Sequence, residues 1–268
     1  MVVAAHPDDE TLGAGASLAE AARITLVHVT DGAELLLIAR LKGFSNRARY
    51  AEARRGELER AFSLLPAETE FIPLGFRDQQ AASHIAEAAK ALCTAIGEAN
   101  PDIILTHAFE GGHPDHDATA MAVHLAWRSL GTPAPLYEMA LYHRSGGKNR
   151  FGTFIPQPDI DPVCIRLSSE AKAHKAAMLA AFASQRGTLA KFPLDGECFR
   201  PAPHYDFTAP PHPGPLYYEA HLLPMTWRLW QGLARRAVRE FEDGTRHSHA
   251  SDGLLRLASR LKNLATPH

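Results

Sequence analysis

Apolar residues along this chain fall into short runs that alternate with longer stretches of helical period. Residues 2–5 are an apolar run of strand character, and residues 10–22 follow with the Ala/Leu pattern of a helix packed on a sheet. Residues 24–30 are apolar and β-branched and stop at Asp31-Gly32, a turn signal. Residues 45–65 predict a long charged helix, with Tyr50, Leu58, Phe62 and Leu65 near one face. A short third strand at 71–74 ends in Gly75-Phe76-Arg77-Asp78, and a helix at 83–99 is closed by Asn100-Pro101. Residues 102–107 give a fourth strand, and Pro114 opens an alanine-rich helix reaching Trp127.

The resulting β-α-β-α-β-α-β-α order implies a parallel sheet with helices on both faces. A half-sheet wound in the order 3-2-1-4 brings strands one and four together where the winding reverses, and ligands bind beyond the carboxyl ends of strands at such a point. Farther on, the pattern predicts a fifth strand at 136–142, a loop at 145–149, a strand at 163–167 and a helix at 168–184 capped by Ser168. Residues 192–215 carry prolines and aromatics without period, 216–223 suit a last strand, and 226–242 an amphipathic helix holding Trp227 and Trp230. The tail from 243 carries His247 and His249 and then a weak helix to 262. The fold class is therefore α/β: a Rossmann-like three-layer sandwich with a mostly parallel sheet and an elaborated C-terminal region. We expect a single domain over 1–268, with its core in 1–185 and the elaboration and tail in 186–268.

Composition narrows the function classes. The 268 residues are 46% hydrophobic, and 28 basic against 30 acidic residues leave a formal charge of -2. No block of like charge marks a nucleic-acid or anionic-membrane surface. No apolar run approaches the roughly 20 residues that span a bilayer, and the start lacks the features of a signal peptide. Cys93, Cys164 and Cys198 lie far apart with no CxxC spacing, which argues against a disulfide framework or thiolate zinc site and for a reducing, cytoplasmic setting. Oligomeric state stays open, a homo-oligomer included.

Two stretches concentrate chemistry: His6-Pro7-Asp8-Asp9-Glu10 after the first strand and His113-Pro114-Asp115-His116 after the fourth. A catalytic zinc takes about three nitrogen or oxygen ligands and keeps an open position, and a further carboxylate beside it can accept a proton from water. Residues i and i+3 of a tight turn can face one point, which suits His6 and Asp9 as ligands; the same logic brings His113 and His116 together without choosing between them. Glu10 reads as a first-turn residue of the helix, His28 as a core histidine, and His107 as a residue of the fourth strand's end, with a place beside the site as its alternative. His124 and His174 read as helix surface, Trp227 and Trp230 as core anchors, and His247 and His249 as solvated.

The paired motifs resemble the PIG-L/LmbE-like metal-dependent N-deacetylases. The resemblance extends to Ala53-Arg54-Arg55-Gly56-Glu57-Leu58 and Leu74-Gly75-Phe76-Arg77-Asp78, and more loosely to Lys175-Ala-Ala-Met-Leu and Ser184-Gln185. It implies His6, Asp9 and His116 as zinc ligands, with iron(II) an alternative ion in the cell. It implies Asp8 as general base, His113 as oxyanion stabiliser or proton donor to the leaving amine, and Asp115 as the group that orients His113. Arg54 and Asp78 match positions that hold sugar hydroxyls. The implied substrate is a small molecule or glycoconjugate containing N-acetylglucosamine, whose remainder would be met by segments 143–162 and 187–215. A non-haem iron oxygenase, which also uses two histidines and a carboxylate, and a non-catalytic sugar- or metal-binding module are the alternatives.

Overall fold

The computed structural model describes residues 1–221 and 223–264, with side chains described through residue 245. In chain order its elements are β1 (Val2–Ala4), α1 (Asp9–Ala14), β2 (Arg23–Thr30), α2 (Leu36–Leu41), α3 (Arg47–Phe62), β3 (Glu68–Phe76), α4 (Ile85–Ala99), β4 (Ile104–His107), α5 (Pro114–Leu130) and β5 (Leu136–Met139). The remainder comprises β6 (Tyr142–Ser145), β7 (Lys148–Phe151), β8 (Val163–Arg166), α6 (Ser169–Ala180), α7 (Arg186–Leu189), β9 (Gly196–Pro201), α8 (Tyr217–Ala220) and α9 (Trp227–Leu264). Seven strands form one sheet in the order β3-β2-β1-β4-β5-β9-β8. The first five run parallel, and β9 and β8 are added antiparallel. The predicted 3-2-1-4 winding is present, so β1 and β4 are neighbours where the order reverses.

Alternation along the strands divides the core between the two faces of the sheet. Val2 and Leu26, paired across β1 and β2, pack with Leu58, Phe62 and Met178 of α3 and α6. Val3 and Val27, the next pair, pack with Ile85, Leu92 and Met121 of α4 and α5. Trp230, Ala234, Ala237 and Phe241 recur at helical spacing on α9 and are buried in this second cluster. Trp230 also donates its indole N–H to the Phe207 carbonyl at 3.1 Å, so it is a core anchor. Among the described residues no helix is long and apolar enough to cross a membrane.

Helix boundaries follow their caps. Asn100 ends α4 in the left-handed conformation ahead of Pro101, and Ser168 accepts a hydrogen bond from the Ala171 N–H at the start of α6. The 145–149 loop is the tight turn of the β6–β7 hairpin, where Gly146 and Gly147 both adopt positive φ as a two-residue hairpin turn requires.

Several expectations need correction. Residues 216–223 do not form a strand: Tyr217–Ala220 is a helical turn, started where the Leu216 N–H donates to the Glu219 carboxylate. The aperiodic 192–215 segment contains β9, hidden because Glu197 and Arg200 look like surface charges and are instead buried in ion pairs. Cys164 and Cys198, paired across β8 and β9, form a disulfide; a separation of 34 residues gave no hint of this pairing, and the cysteine argument for a reducing compartment falls with it. The predicted fifth strand divides, with Tyr142 opening the hairpin. The side chains of His247 and His249 lie outside the described residues.

His124 is not a surface residue. It is 2% exposed, facing Tyr205 and Phe207. Burial, helped by the charge of Arg128, lowers its pKa to about 3 from 6.5. The unfolded chain therefore takes up this proton first, and the associated stability, intact above pH 6.5, is lost as pH falls toward 3. Between pH 7 and 4.5 this one group should remove about 2–3 kcal/mol. Urea unfolding should show that His124→Phe loses less stability than the wild type over that interval; equal losses would contradict the assignment.

Candidate metal centre

The two motifs meet because their strands are neighbours. His6 to Asp9 leaves the end of β1 and enters α1, and His113 to His116 begins α5 beyond β4. Asp9 bridges the two motifs: one carboxylate oxygen lies 3.1 Å from His6 Nδ1 and the other 3.2 Å from His116 Nε2. Ligand atoms of His6, His113 and His116 lie within 4.8 Å of one another, as do those of Asp9, His107 and His116, and those of His6, Asp78 and Asp115. These groups overlap at His6 and His116, whose ring centroids lie 5.3 Å apart, and Asp9 touches both.

His107 competes weakly for that role. Its Nε2 accepts the Ala5 backbone N–H at 2.8 Å, which occupies the lone pair an ion would need. The ring stacks on His116 with centroids 4.2 Å apart, and burial holds its pKa well below the ordinary value. His107 thus supports the His116 ring and the first turn. The remaining donor set of two imidazoles and one carboxylate fits a divalent ion of the zinc or iron(II) type. The charge balance fits as well: Asp8, Asp9 and Asp78 line the same cavity, where Arg54 is paired to Asp8, so a bound cation offsets otherwise crowded carboxylates. His6 has its second ring nitrogen 3.2 Å from Asp115, an arrangement in which one nitrogen can serve the ion while the other is held by a carboxylate.

Asp8 is the carboxylate left over. It is buried, and its backbone sits at φ 133°, which a non-glycine residue adopts only when its surroundings enforce it. The enforcement is visible. The Asp8 N–H donates to Glu10 Oε2 at 3.2 Å, and Arg54 donates to the Pro7 carbonyl and, at 3.1 Å, to Asp8 Oδ2. Arg54 Nε also donates to the Gly32 carbonyl at 3.1 Å. Gly32 is required there, because a Cβ would come within 2.6 Å of Pro7. Burial pushes the Asp8 carboxyl up to about 7, with Arg54 pulling against it. Glu10, in the first turn of α1 as expected, belongs to this support: it is fully buried, 2.9 Å from His28 Nε2. His28 is the core histidine its sequence position suggested.

The structure gives the other site residues definite partners. The Asp115 N–H donates to His113 Nδ1 at 3.1 Å, leaving the proton of the neutral His113 ring on Nε2. The Asp115 carboxylate, however, turns away from His113 toward His6 and accepts the Gln79 and Ala81 N–H groups at 2.6 and 3.0 Å. Asp115 therefore holds His113 through its main chain and orients His6 and the loop of Asp78 through its side chain. Arg54 and Asp78 both line the cavity of about 290 Å³. Arg54 is 2% exposed, so it is not a solvated helix charge.

Residues not singled out as site residues complete the frame. Glu57, next in the Arg54 motif, accepts from the Ser184 N–H and hydroxyl at 2.8 and 2.7 Å, and Gln185 donates to Tyr50 at 2.6 Å. Asp117 accepts the Glu110 and Gly111 N–H groups at 3.3 and 3.1 Å, fixing the turn before His113. Behind that turn, Arg200 on β9 donates to Glu138 at 2.8 Å and to Glu110 at 3.1 Å. The only signal for Glu57, Ser184 and Gln185 was their place in the resembling segments; Asp117 and Arg200 had none. Tyr142, Phe192, Tyr217 and His221 also line the cavity, from the 142–151 hairpin, the aperiodic 192–215 segment and the helical turn that replaces the strand expected at 216–223.

Residues 1–127 match the family described as PIG-L: GlcNAc-PI de-N-acetylase. Over these residues, a little under half of the chain, the sequence is similar to that family. Among curated relatives, a 1D-myo-inositol 2-acetamido-2-deoxy-alpha-D-glucopyranoside deacetylase 2 of Saccharopolyspora erythraea is 33% identical over 166 residues, covering 52% of this chain and 60% of the relative. The protein of the same description from Catenulispora acidiphila is 31% identical over 142 residues, covering 43% of this chain and 46% of the relative. The chain thus spans about half the length of the curated relatives it matches. Among solved structures, the pseudoaglycone deacetylase Dbv21 superposes with a TM-score of 0.59 at 22% identity, covering 75% of this chain and 95% of that one. An N,N'-diacetylchitobiose deacetylase from Pyrococcus horikoshii gives 0.52 at 19% identity, covering 74% and 81%. At these identities the structural likeness establishes a shared fold.

Proposed function

We propose that the chain is a metal-dependent amidohydrolase that removes the acetyl group from an N-acetylglucosamine-containing small molecule. The carrying observation is that Asp8, a buried carboxylate not needed to hold an ion, lines the same cavity as His6, Asp9 and His116. The similarity to the PIG-L family and the acetamido-sugar deacetylases among the relatives support the reaction and the substrate class.

In this reading His6, Asp9 and His116 hold a zinc ion, with iron(II) the alternative in the cell. The ion, when bound, polarises the amide carbonyl and acidifies water. Asp8, beside the ligands and clamped by Arg54, takes the proton from the attacking water. His113 donates its Nε2–H to the oxyanion of the tetrahedral intermediate, a role open to a neutral imidazole whose Nδ1 is already occupied. As the C–N bond breaks, the proton held by Asp8 passes to the departing nitrogen, leaving acetate and a free amine. Arg54 and Asp78 meet the sugar hydroxyls from the cavity wall.

The test is acetate release from a panel of N-acetylglucosamine derivatives, including the inositol glycoside and N,N'-diacetylchitobiose, before and after chelation. Chelation should abolish turnover, and zinc or iron(II) should restore it. If no acetylated amino sugar is turned over with either ion supplied, the proposal is wrong.

A further inference from the structure

A second cavity of about 700 Å³ adjoins the metal centre, between the β6–β7 hairpin and residues 191–193. Lys191 and Phe192 line both cavities, so the two share a wall. Tyr142 bridges them: its ring lies 5.2 Å from that of His116 and 5.6 Å from that of Phe192. The second cavity thus begins at the same Lys191–Phe192 segment that closes the first, on the side of Phe192 away from the metal centre's lining.

The two cavities differ in charge character, the first holding four carboxylates beside Arg54 and the shared Lys191. The first is lined by Glu34, Asp8, Asp9 and Asp78; the second has no carboxylate in its lining, and carries Arg150 and Lys191. Among the described residues neither cation makes an ion pair with a carboxylate. His143 sits opposite Arg150 in the hairpin register and lines the same cavity. It is 2% exposed, and neither ring nitrogen makes a hydrogen bond of ordinary geometry within the protein. Apart from the Thr153 backbone, which favours its protonated form, nothing on the protein accepts from this imidazole, so an anion in the cavity would give it a better acceptor. Phe151, Phe154 and Phe192 supply apolar surface around these three polar groups.

We infer that this second cavity is a subsite for the part of the substrate beyond the amino sugar, and that this part carries an anionic group, carboxylate or phosphate, beside an apolar segment. The inference rests on the deacetylase reading only for what occupies the neighbouring cavity. Arg150 and Lys191 attract the anion, His143 donates to it, and the phenylalanines cover the apolar portion. Both cations are solvent-exposed, so the selectivity is modest and falls as salt rises.

The experiment uses three matched aryl glycosides of N-acetylglucosamine, bearing a para carboxylate, a para phosphate or the methyl ester of the carboxylate. Acetate release and calorimetric binding are measured for the full chain, Arg150→Gln and the Arg150→Gln/Lys191→Gln double variant. At least one anionic glycoside should bind and turn over about tenfold better than the ester, mainly through KM. That ratio should fall toward one in the variants and in high salt, and the anion that wins identifies the natural group. An ester as good as both anions, or a preference that survives in the double variant, overturns the inference. Calorimetry needs no turnover, so an anion preference without acetate release leaves the subsite standing and removes the deacetylase reading; acetate release without the preference does the reverse.

Discussion

Replacing Asp8 with asparagine should lower kcat for acetate release by about 10²–10⁴-fold, the usual contribution of a positioned general base, with KM little changed and the bound ion retained. Asparagine keeps the shape of the side chain and, like aspartate, tolerates the positive φ found at Asp8 better than most residues do. It loses the ability to accept a proton, together with the negative charge that Arg54 faces. Because His6, Asp9 and His116 are untouched, the substitution separates binding an ion from using it. Steady-state kinetics beside elemental analysis of the same sample decides the matter: full activity in Asp8→Asn removes Asp8 as base, and loss of the ion together with activity makes Asp8 part of the ligand set.

Arg54→Ala should be the most damaging single change outside the ligands. It leaves the buried carboxylates of Asp8 and Glu57 without their cation and removes donors from the Pro7 and Gly32 carbonyls. Breaking a buried pair in this way costs about 3–5 kcal/mol, read as a lower midpoint in denaturant unfolding. Activity should fall with it, since the Asp8 backbone conformation depends on the same contacts. Arg54→Lys should recover little of either. A single ammonium cannot reproduce the planar fork that reaches two carbonyls and a carboxylate at once. A destabilisation under ~1 kcal/mol would mean that this turn is ordered by something other than Arg54.

Most of the β1–β5 half of the fold was legible because its inner strands carry a plain hydrophobic signal and α4 and α5 have Asn100-Pro101 and Pro114 at their ends, whereas the short α2, which has no side-chain cap, was not foreseen. The centre was legible because two short clusters of histidine and acid follow strands one and four. The winding order that makes those strands neighbours was inferred independently of the clusters. What escaped were residues whose polarity is cancelled by a distant partner. Glu197 and Arg200 read as surface charges, yet Glu197 meets Lys175 at 2.8 Å and Arg200 meets Glu138 at 2.8 Å, so β9 was hidden. His124 read as helix surface because the residues that bury it, Tyr205 and Phe207, come from an aperiodic segment. Asp115 was placed correctly in the cluster, but whether its carboxylate turned to His113 or His6 depended on the Gln79 and Ala81 N–H groups, which no local pattern connects to it. The disulfide belongs to the same class, since Cys164 and Cys198 meet only through the pairing of β8 with β9.

The central claim is that one ion, held by residues from both motifs, is what Asp8 works beside. Elemental analysis of purified wild-type protein, Asp8→Asn, Asp9→Ala and His116→Ala, each assayed for acetate release, tests it most directly. One zinc or iron ion per chain is expected in the wild type and in Asp8→Asn, with full activity only in the wild type. Loss of both ion and activity is expected in Asp9→Ala and His116→Ala. Full metal content and undiminished turnover in either of those two variants would contradict the claim.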